Sequence, residues 1–375
     1  NSLFVRAYLA QNHAIPLPRP THSYAGGYTD VRAVGVIDRV VKADVESLYP
    51  SIMLAHKIKP ASDTLNVFLP ALAELTQRRF VAKTHARSTE GAEHHYWDGL
   101  QGSFKVLINS FYGYLGAAGF NFNDPEAAGR ITEIGRELVQ EIAARMEATG
   151  GRVIEIDTDG VYFVPPDNVQ GEEAERAYVA EIGEMLPEGI RLAFDGRYKA
   201  MISLKTKNYV LQGYDGAITL KGASLRSRAD EEFGREFLEK AIELLLAHRP
   251  EEIARLYEQT IEDIRNNRVP IEKLCRRERV TEKTFTSANK IRSARIARNA
   301  SIGDYVTVYE RTNGELALLE DYTPGDENTS YYMEKLYKFA CRLQEAIGER
   351  FHELIPKPTP QGLPGCMQTQ LDLFG

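Results

Sequence analysis

The chain has 375 residues, 43% of them hydrophobic and 26% charged, an ordinary balance for a globular protein with room for two or three subdomains and a sizeable core. No apolar run approaches the roughly 20 residues of a membrane span, no leader pattern opens the chain, and three scattered cysteines (Cys275, Cys341, Cys366) without a Cys-x-x-Cys pair argue against a disulfide, zinc or iron–sulfur framework and fit a reducing cytosol. The net charge of −7 weighs weakly against a nucleic-acid partner, because steering depends on local clusters rather than on the total.

Residues 1–30 are mixed, with Pro16, Pro18 and Pro20 marking an irregular entry. In Ser23-Tyr-Ala-Gly-Gly-Tyr28 the paired glycines make either a plain turn or a backbone that approaches another chain closely. A hydrophobic segment over 31–41 then leads into Lys42-Ala-Asp-Val-Glu-Ser-Leu-Tyr-Pro-Ser-Ile52, where a strand breaks into a turn and a helix. Pro50 suits the first helical position. The free amides of Ser47, Leu48 and Tyr49 at that helix start form an anion site. Asp44 either caps the turn or offers a carboxylate to a metal; a metal carboxylate beside phosphate-binding amides is what phosphoryl transfer needs.

Residues 67–86 read as a helix, with Arg79 and Lys83 four apart on one face. A polar link over 87–98 follows, where Glu90, Glu93, His94 and His95 come near His85 as a solvated hairpin or a metal cluster. In a second helix, 100–115, Lys105, Asn109 and Tyr112 form one stripe. Antiparallel, the two helices present either a four-pronged phosphate grip or a solvated basic face. Pro125 suits the first turn of a long helix ending near Gly150. Residues 151–164 form a β-hairpin around Asp157-Thr-Asp-Gly160.

An acidic helix is expected over 171–186, then strands over 191–194, 198–204 and 208–212 and a hairpin over Asp215-Gly216. Helices follow over 231–247 and 250–266. Next comes the most basic region, in which Arg265, Arg268, Lys273, Arg276, Arg277, Arg279, Lys283, Lys290, Arg292, Arg295 and Arg298 face only Glu272, Glu278 and Glu282. It is either a solvated face or a surface for duplex phosphates. A strand over 304–309 and an amphipathic helix over 330–347 complete the folded part. Proline-rich residues 356–365 form a tether to the terminal Gln370-Leu-Asp-Leu-Phe374.

Three of these patterns, in order, resemble the palm motifs of family B DNA polymerases: Asp-x-x-Ser-Leu-Tyr-Pro-Ser-Ile, Lys-x-x-x-Asn-Ser-x-Tyr-Gly and Asp-Thr-Asp. The resemblance covers roughly residues 20–354 and implies an α+β right-hand polymerase with an antiparallel-sheet palm, two-helix fingers and a mostly helical thumb. Its parts would be palm at 1–66 and 120–229, fingers at 67–119, thumb at 230–354 and a flexible tail at 355–375. The last five residues resemble the peptide by which bacterial polymerases dock on the sliding clamp, through Gln370, Leu371, Leu373 and Phe374, which gives the chain the look of the bacterial polymerase II branch. The chain opens without Met, as a fragment would, and no Asp-x-Glu element precedes Tyr24, so no proofreading exonuclease is assigned to it.

The resemblance implies two-metal nucleotidyl transfer to a primer 3′-hydroxyl. Asp44 and Asp159 would hold two Mg²⁺ (Mn²⁺ as a substitute), with the Val45 carbonyl and Asp157 in support. Ser47, Leu48, Tyr49, Arg79, Lys83 and Lys105 would bind the dNTP phosphates, Lys105 also protonating the pyrophosphate. Tyr49 would exclude a 2′-hydroxyl, and Asn109 and Tyr112 would line the nascent pair. Primer-template DNA would meet Tyr24, Gly26, Gly27, Lys207, Tyr209, Lys221, Gly222, Arg228, Arg276, Arg277, Arg279 and Lys283. The implied partners are DNA, dNTPs and a bacterial clamp, with no membrane, and the protein would be a cytoplasmic, nucleoid-associated monomer apart from the clamp. Glu155, Ile156 and Gly160 depart from the Tyr-Gly and Ser that usually flank Asp-Thr-Asp. Thr206 and Asn208 depart from the Lys-Lys-x-Tyr primer element. The competing expectation is a catalytically silent, clamp-tethered relative, whose mark would be a lost metal carboxylate; none is lost here.

Overall fold

The computed structural model describes residues 1–363 except 226, 228, 287–290 and 298. It is an α+β chain that divides into two compact units, Asn1–Arg32 with Arg39–Arg197, and Ala33–Asp38 with Tyr198 onward.

The first unit opens with α1 (Ser2–Ala10), whose Phe4 and Tyr8 are buried. Then come β1 (Thr29–Val31), β2 (Gly35–Val45), α2 (Leu48–Ala55), the helical hairpin α3 (Phe68–Ser88) and α4 (Gly91–Gly116), α5 (Pro125–Ala148), β3 (Arg152–Asp157), β4 (Gly160–Val164), α6 (Glu172–Glu184) and β5 (Leu192–Lys205). The strand order is β1-β3-β4-β2-β5. β2 alternates strictly at its end: Val41, Ala43 and Val45 are buried, whereas Lys42 and Asp44 project from the other face. The buried side packs against α5, where Ile131, Leu138, Val139 and Ile142 form the core stripe. Asp124 caps α5 by accepting from the Ala127 amide, with Pro125 at the first position. Buried Asp63 accepts the Val67 and Phe68 amides at the start of α3, and Tyr8 donates to the same carboxylate.

Three local expectations are corrected. The polar link expected over 87–98 is only two residues long, because α4 starts at Gly91 rather than 100. His85 stacks on Trp97 at 4.5 Å and the Ala86 carbonyl bonds His94 Nδ1 at 2.7 Å, so ring contacts hold this polar sequence helical. The strands expected over 191–194 and 198–204 are one strand, since Lys42 holds Asp195 and Glu175 holds Arg197 across the stretch read as a break. Pro50 is the third helical residue of α2, not the first; Ser47, at φ 50°, stands at the N-cap.

In the second unit β5 pairs with β6 (Asn208–Gln212) and β6 with β7 (Ile218–Lys221). Helices α7 (Glu232–Leu246), α8 (Pro250–Arg265) and α9 (Ile271–Leu274) precede β8 (Arg276–Arg279), α10 (Glu282–Thr286), α11 (Ile291–Ile296), β9 (Tyr305–Glu310), β10 (Leu316–Leu318) and α12 (Thr329–Ala340). The small sheet runs β10-β9-β8. Phe237, Tyr257, Tyr332, Leu336 and Phe339 centre the core. The helix expected over 330–347 stops at Ala340 and continues as short turns; there Arg342 reaches to Asp230 and the Ser224 carbonyl.

Candidate active site

Strand pairing brings the two candidate metal carboxylates together. Asp44 lies opposite Gly160 in the β2–β4 register, and the Val45 amide donates to the Asp159 carbonyl at 2.8 Å. The turn between β3 and β4 is tight: Thr158 has φ 60°, and its amide donates to the Tyr28 carbonyl at 2.9 Å. A Cβ on Gly160 would stand 2.7 Å from Asp44 Oδ1 and 3.1 Å from Lys42 Cε, so the glycine found where the family usually has Ser leaves room for both side chains. Glu155 is fully buried within β3.

The carboxylates feel each other. Burial pushes Asp44 up to about 6, the nearby charges of Asp159 and Asp195 add to this, and Lys42 opposes them. Burial also raises Asp159, with Asp157 adding to the rise while Lys42 and Lys105 draw it down. Lys42 Nζ sits 2.6 Å from Asp195 and 3.3 Å from Asp44. Burial disfavours its charge, but the two carboxylates more than offset this and hold the ammonium well above an ordinary lysine. Among the described residues no group of three or more His, Cys, Asp or Glu side chains is arranged to hold a metal ion. That removes the metal-cluster alternative for His85, His94 and His95.

Asp44 and Asp159 line a cavity of about 780 Å³ together with Ser47, Leu48 and Tyr49 from the start of α2, Arg79 and Lys83 from α3, and Lys105, Asn109 and Tyr112 from α4. The Leu48 and Tyr49 amides precede the first intrahelical bond, Ser51 N–H to the Ser47 carbonyl at 2.9 Å. Arg79 donates to Ser47 Oγ at 2.9 Å and Lys83 lies 3.6 Å from Glu46. Burial lowers Arg79, an effect that the Glu46 charge opposes. Lys105 and Asn109 are exposed to the cavity. Tyr49 and Tyr112 pack with ring centroids 4.3 Å apart; burial and a bond with Tyr24 push the Tyr112 phenol up.

The Tyr24–Gly27 backbone lies against the same elements. A Cβ on Gly27 would fall 2.6 Å from Thr158 and 2.9 Å from the Tyr49 hydroxyl, so glycine is required there by close approach. Arg136 donates to the Ala25 and Gly26 carbonyls at 3.0 Å each, and Thr132 to Ala25 at 2.7 Å. The sequence reading missed Lys42, Glu46, Asp195 and Arg136. Lys42 had a readable signal, since two residues before Asp44 on a strand is the same face; the other three depend on tertiary approach.

In the second unit Lys207 (φ 60°) occupies the β5–β6 turn, Lys221 is exposed at the end of β7, and Gly222 has φ 99° with its backbone close to Asn208. Two expected DNA contacts are not surface groups. Tyr209 is 5% exposed inside the β5-β6-β7 sheet. Arg276 is turned inward to Glu278 at 3.0 Å, Glu310 at 3.5 Å and buried Glu231 at 3.8 Å. Strand alternation explains it: Arg277 and Arg279 face outward from β8, with Arg277 over the Tyr305 ring at 4.7 Å. Lys283 is exposed on α10. Arg228 and the tail residues Gln370, Leu371, Leu373 and Phe374 lie outside the described residues.

A carboxylate pair sharing one cavity with helix-start amides and the cations Arg79, Lys83 and Lys105 is an arrangement suited to phosphoryl transfer. The family model for DNA polymerase family B matches residues 64–347. The chain belongs to that family. DNA polymerase 1 of Pyrococcus abyssi is 30% identical over 283 residues, covering 68% of this chain and 36% of the relative. A DNA polymerase of Pyrococcus glycovorans is 28% identical over 387 residues, covering 92% and 50%. The solved family B DNA polymerase of the archaeon Pyrobaculum calidifontis matches with a TM-score of 0.70 at 18% identity over 92% of this chain and 50% of that one, a likeness of fold. The chain thus spans half or less of these relatives, and all three are archaeal, whereas the tail had suggested a bacterial branch. No described helix is long and apolar enough to cross a membrane.

Proposed function

We propose that the chain is a template-directed DNA polymerase that extends a primer 3′-hydroxyl with dNTPs. The observation that supports this most directly is the pairing of Asp44 with Asp159 on adjacent strands, in one cavity with Arg79, Lys83 and Lys105. The donor set fits divalent metal: hard carboxylate oxygens whose ionised forms repel each other, a repulsion that a doubly charged cation relieves. Asp44 and Asp159 would hold it, aided by the Val45 carbonyl and Asp157. Two Mg²⁺ ions, or Mn²⁺, would lower the pKa of the attacking hydroxyl and neutralise the leaving pyrophosphate.

The chain's own groups do the rest. Arg79, Lys83, Lys105 and the amides of Ser47, Leu48 and Tyr49 bind the β- and γ-phosphates. Lys105 delivers a proton to the departing pyrophosphate. Tyr49, wedged between Tyr112 and α5, lies under the sugar and rejects a 2′-hydroxyl, and Asn109 lines the nascent pair. In this reading residues 67–119 are the fingers, 1–66 and 120–229 the palm and 230–354 the thumb. Tyr24, Gly26 and Gly27 meet the template, Lys207, Lys221, Gly222 and the outward Arg277, Arg279 and Lys283 meet DNA phosphates, and residues 355–375 tether the protein to a sliding clamp. Primer extension with Mg²⁺ and dNTPs tests the reading: Asp44→Ala should reduce the rate at least about a thousandfold, and extension by that variant at the wild-type rate would refute it.

A further inference from the structure

The cavity contains a carboxylate that the proposed chemistry does not use. Glu46 lies between Asp44 and Ser47, in the turn that joins β2 to α2, and its carboxylate reaches to Lys83 of α3 at 3.6 Å. Its negative charge also acts on Arg79. The two fingers-side cations expected to grip phosphate are therefore already facing an anion that belongs to the chain.

The backbone of Glu46 is held firmly. Its amide donates to the Arg191 carbonyl at 2.9 Å, its own carbonyl accepts from Ser51 Oγ at 2.8 Å, and the next residue is fixed in the left-handed region. The side chain is not held in that way: it is about half exposed, at 47%, and Lys83 at 38%. It can therefore swing off Lys83 by side-chain rotation alone, without disturbing Asp44 on one side or the α2 amides on the other.

We infer that Glu46 is an internal competitor for the polyphosphate site: its carboxylate occupies the anion position at Lys83, is displaced when a nucleoside triphosphate binds, and returns as pyrophosphate leaves. This deepens the polymerase reading and rests on it for the identity of the natural ligand, but the competition itself is a property of the cavity. Glu46 is a specificity-determining residue in this sense and not a catalytic one. A polyphosphate with three or four negative charges displaces it readily, whereas a monophosphate gains less at Lys83 and is held off by the same charge. An ion pair this exposed is weak, so the expected effect is about two- to fivefold in affinity.

The test uses inorganic tripolyphosphate titrated calorimetrically into the full chain, in EDTA and without DNA, so that neither metal binding nor catalysis is read. Glu46→Gln should bind tripolyphosphate about two- to fivefold more tightly than wild type, a gain that general structural damage would not produce. In a Lys83→Gln background the same substitution should give a clearly smaller gain, the part that remains coming through Arg79. Unchanged or weaker binding by Glu46→Gln, or an equal gain without Lys83, would overturn the inference. Should the wild-type chain fail to extend primed DNA, the polymerase reading falls while this titration still reports on Glu46.

Discussion

Asp44 illustrates how a carboxylate is kept partly buried at a cost to the fold. Its carboxyl is only 28% exposed and close to Asp159 and Asp195, and burial with those charges brings its pKa up to about 6. The folded state therefore binds this proton more tightly than the unfolded chain does. By linkage, the ionised group subtracts stability above about pH 6, and that loss disappears as pH falls through 6 towards the ordinary carboxylate range near 4. In metal-free protein, Asp44→Asn should be more stable than wild type by about 1–2 kcal/mol at pH 8, a figure reduced for the residual exposure and for Lys42. The difference should close by about pH 4. Denaturant titrations across that range check it; equal stability at pH 8 would remove the argument.

At the scale of elements, what was legible depended on whether the signal was local. The β3–β4 hairpin, the Pro125 start of α5 and the paired cations of α3 were readable because turn chemistry, capping and four-residue spacing lie within a short window. The true start of α4 was not, because a His–Trp stack between two helices overrides a polar composition. Nor was the continuity of β5, which rests on ion pairs to residues far away in sequence. Within the candidate site, Asp44, Asp159 and Lys105 were named from motif resemblance, while Glu46, Asp195 and Arg136 became visible only when the strands and helices were brought together. Helix approach gives a further example. Gly234 of α7 packs so closely on Phe339 of α12 that an added Cβ would overlap the ring. Gly234→Ala should destabilise the protein by about 1–3 kcal/mol. A thermal melt would show a lowered midpoint, and pairing the change with Phe339→Leu should recover most of it.

For the whole molecule, net charge misleads and its distribution instructs. A chain of net charge −7 places five cations (Arg79, Lys83, Arg87, Lys105 and Arg191) along one cavity of its first unit and an outward Arg277–Arg279 edge in its second. The proposed clamp tether belongs to the same scale. Deleting residues 364–375 should abolish capture on an immobilised sliding clamp while single-nucleotide addition proceeds at an unchanged rate; a truncated chain that still binds the clamp would place the contact elsewhere.

Helix α5 supplies none of the reacting groups, yet it touches the surroundings of several. Gly135 leaves Tyr49 and Leu48 the space they fill, and Thr132 and Arg136 fasten the Ala25 and Gly26 carbonyls. One helix thus positions the Tyr49 ring and the Ala25–Gly26 backbone together. A slight rotation of that helix would shift both by a similar amount. Sequence drift within this single helical turn is therefore pleiotropic, moving the Tyr49 ring and the Ala25–Gly26 backbone in one step, so that whatever each of them does is mechanically bound to change in concert with the other.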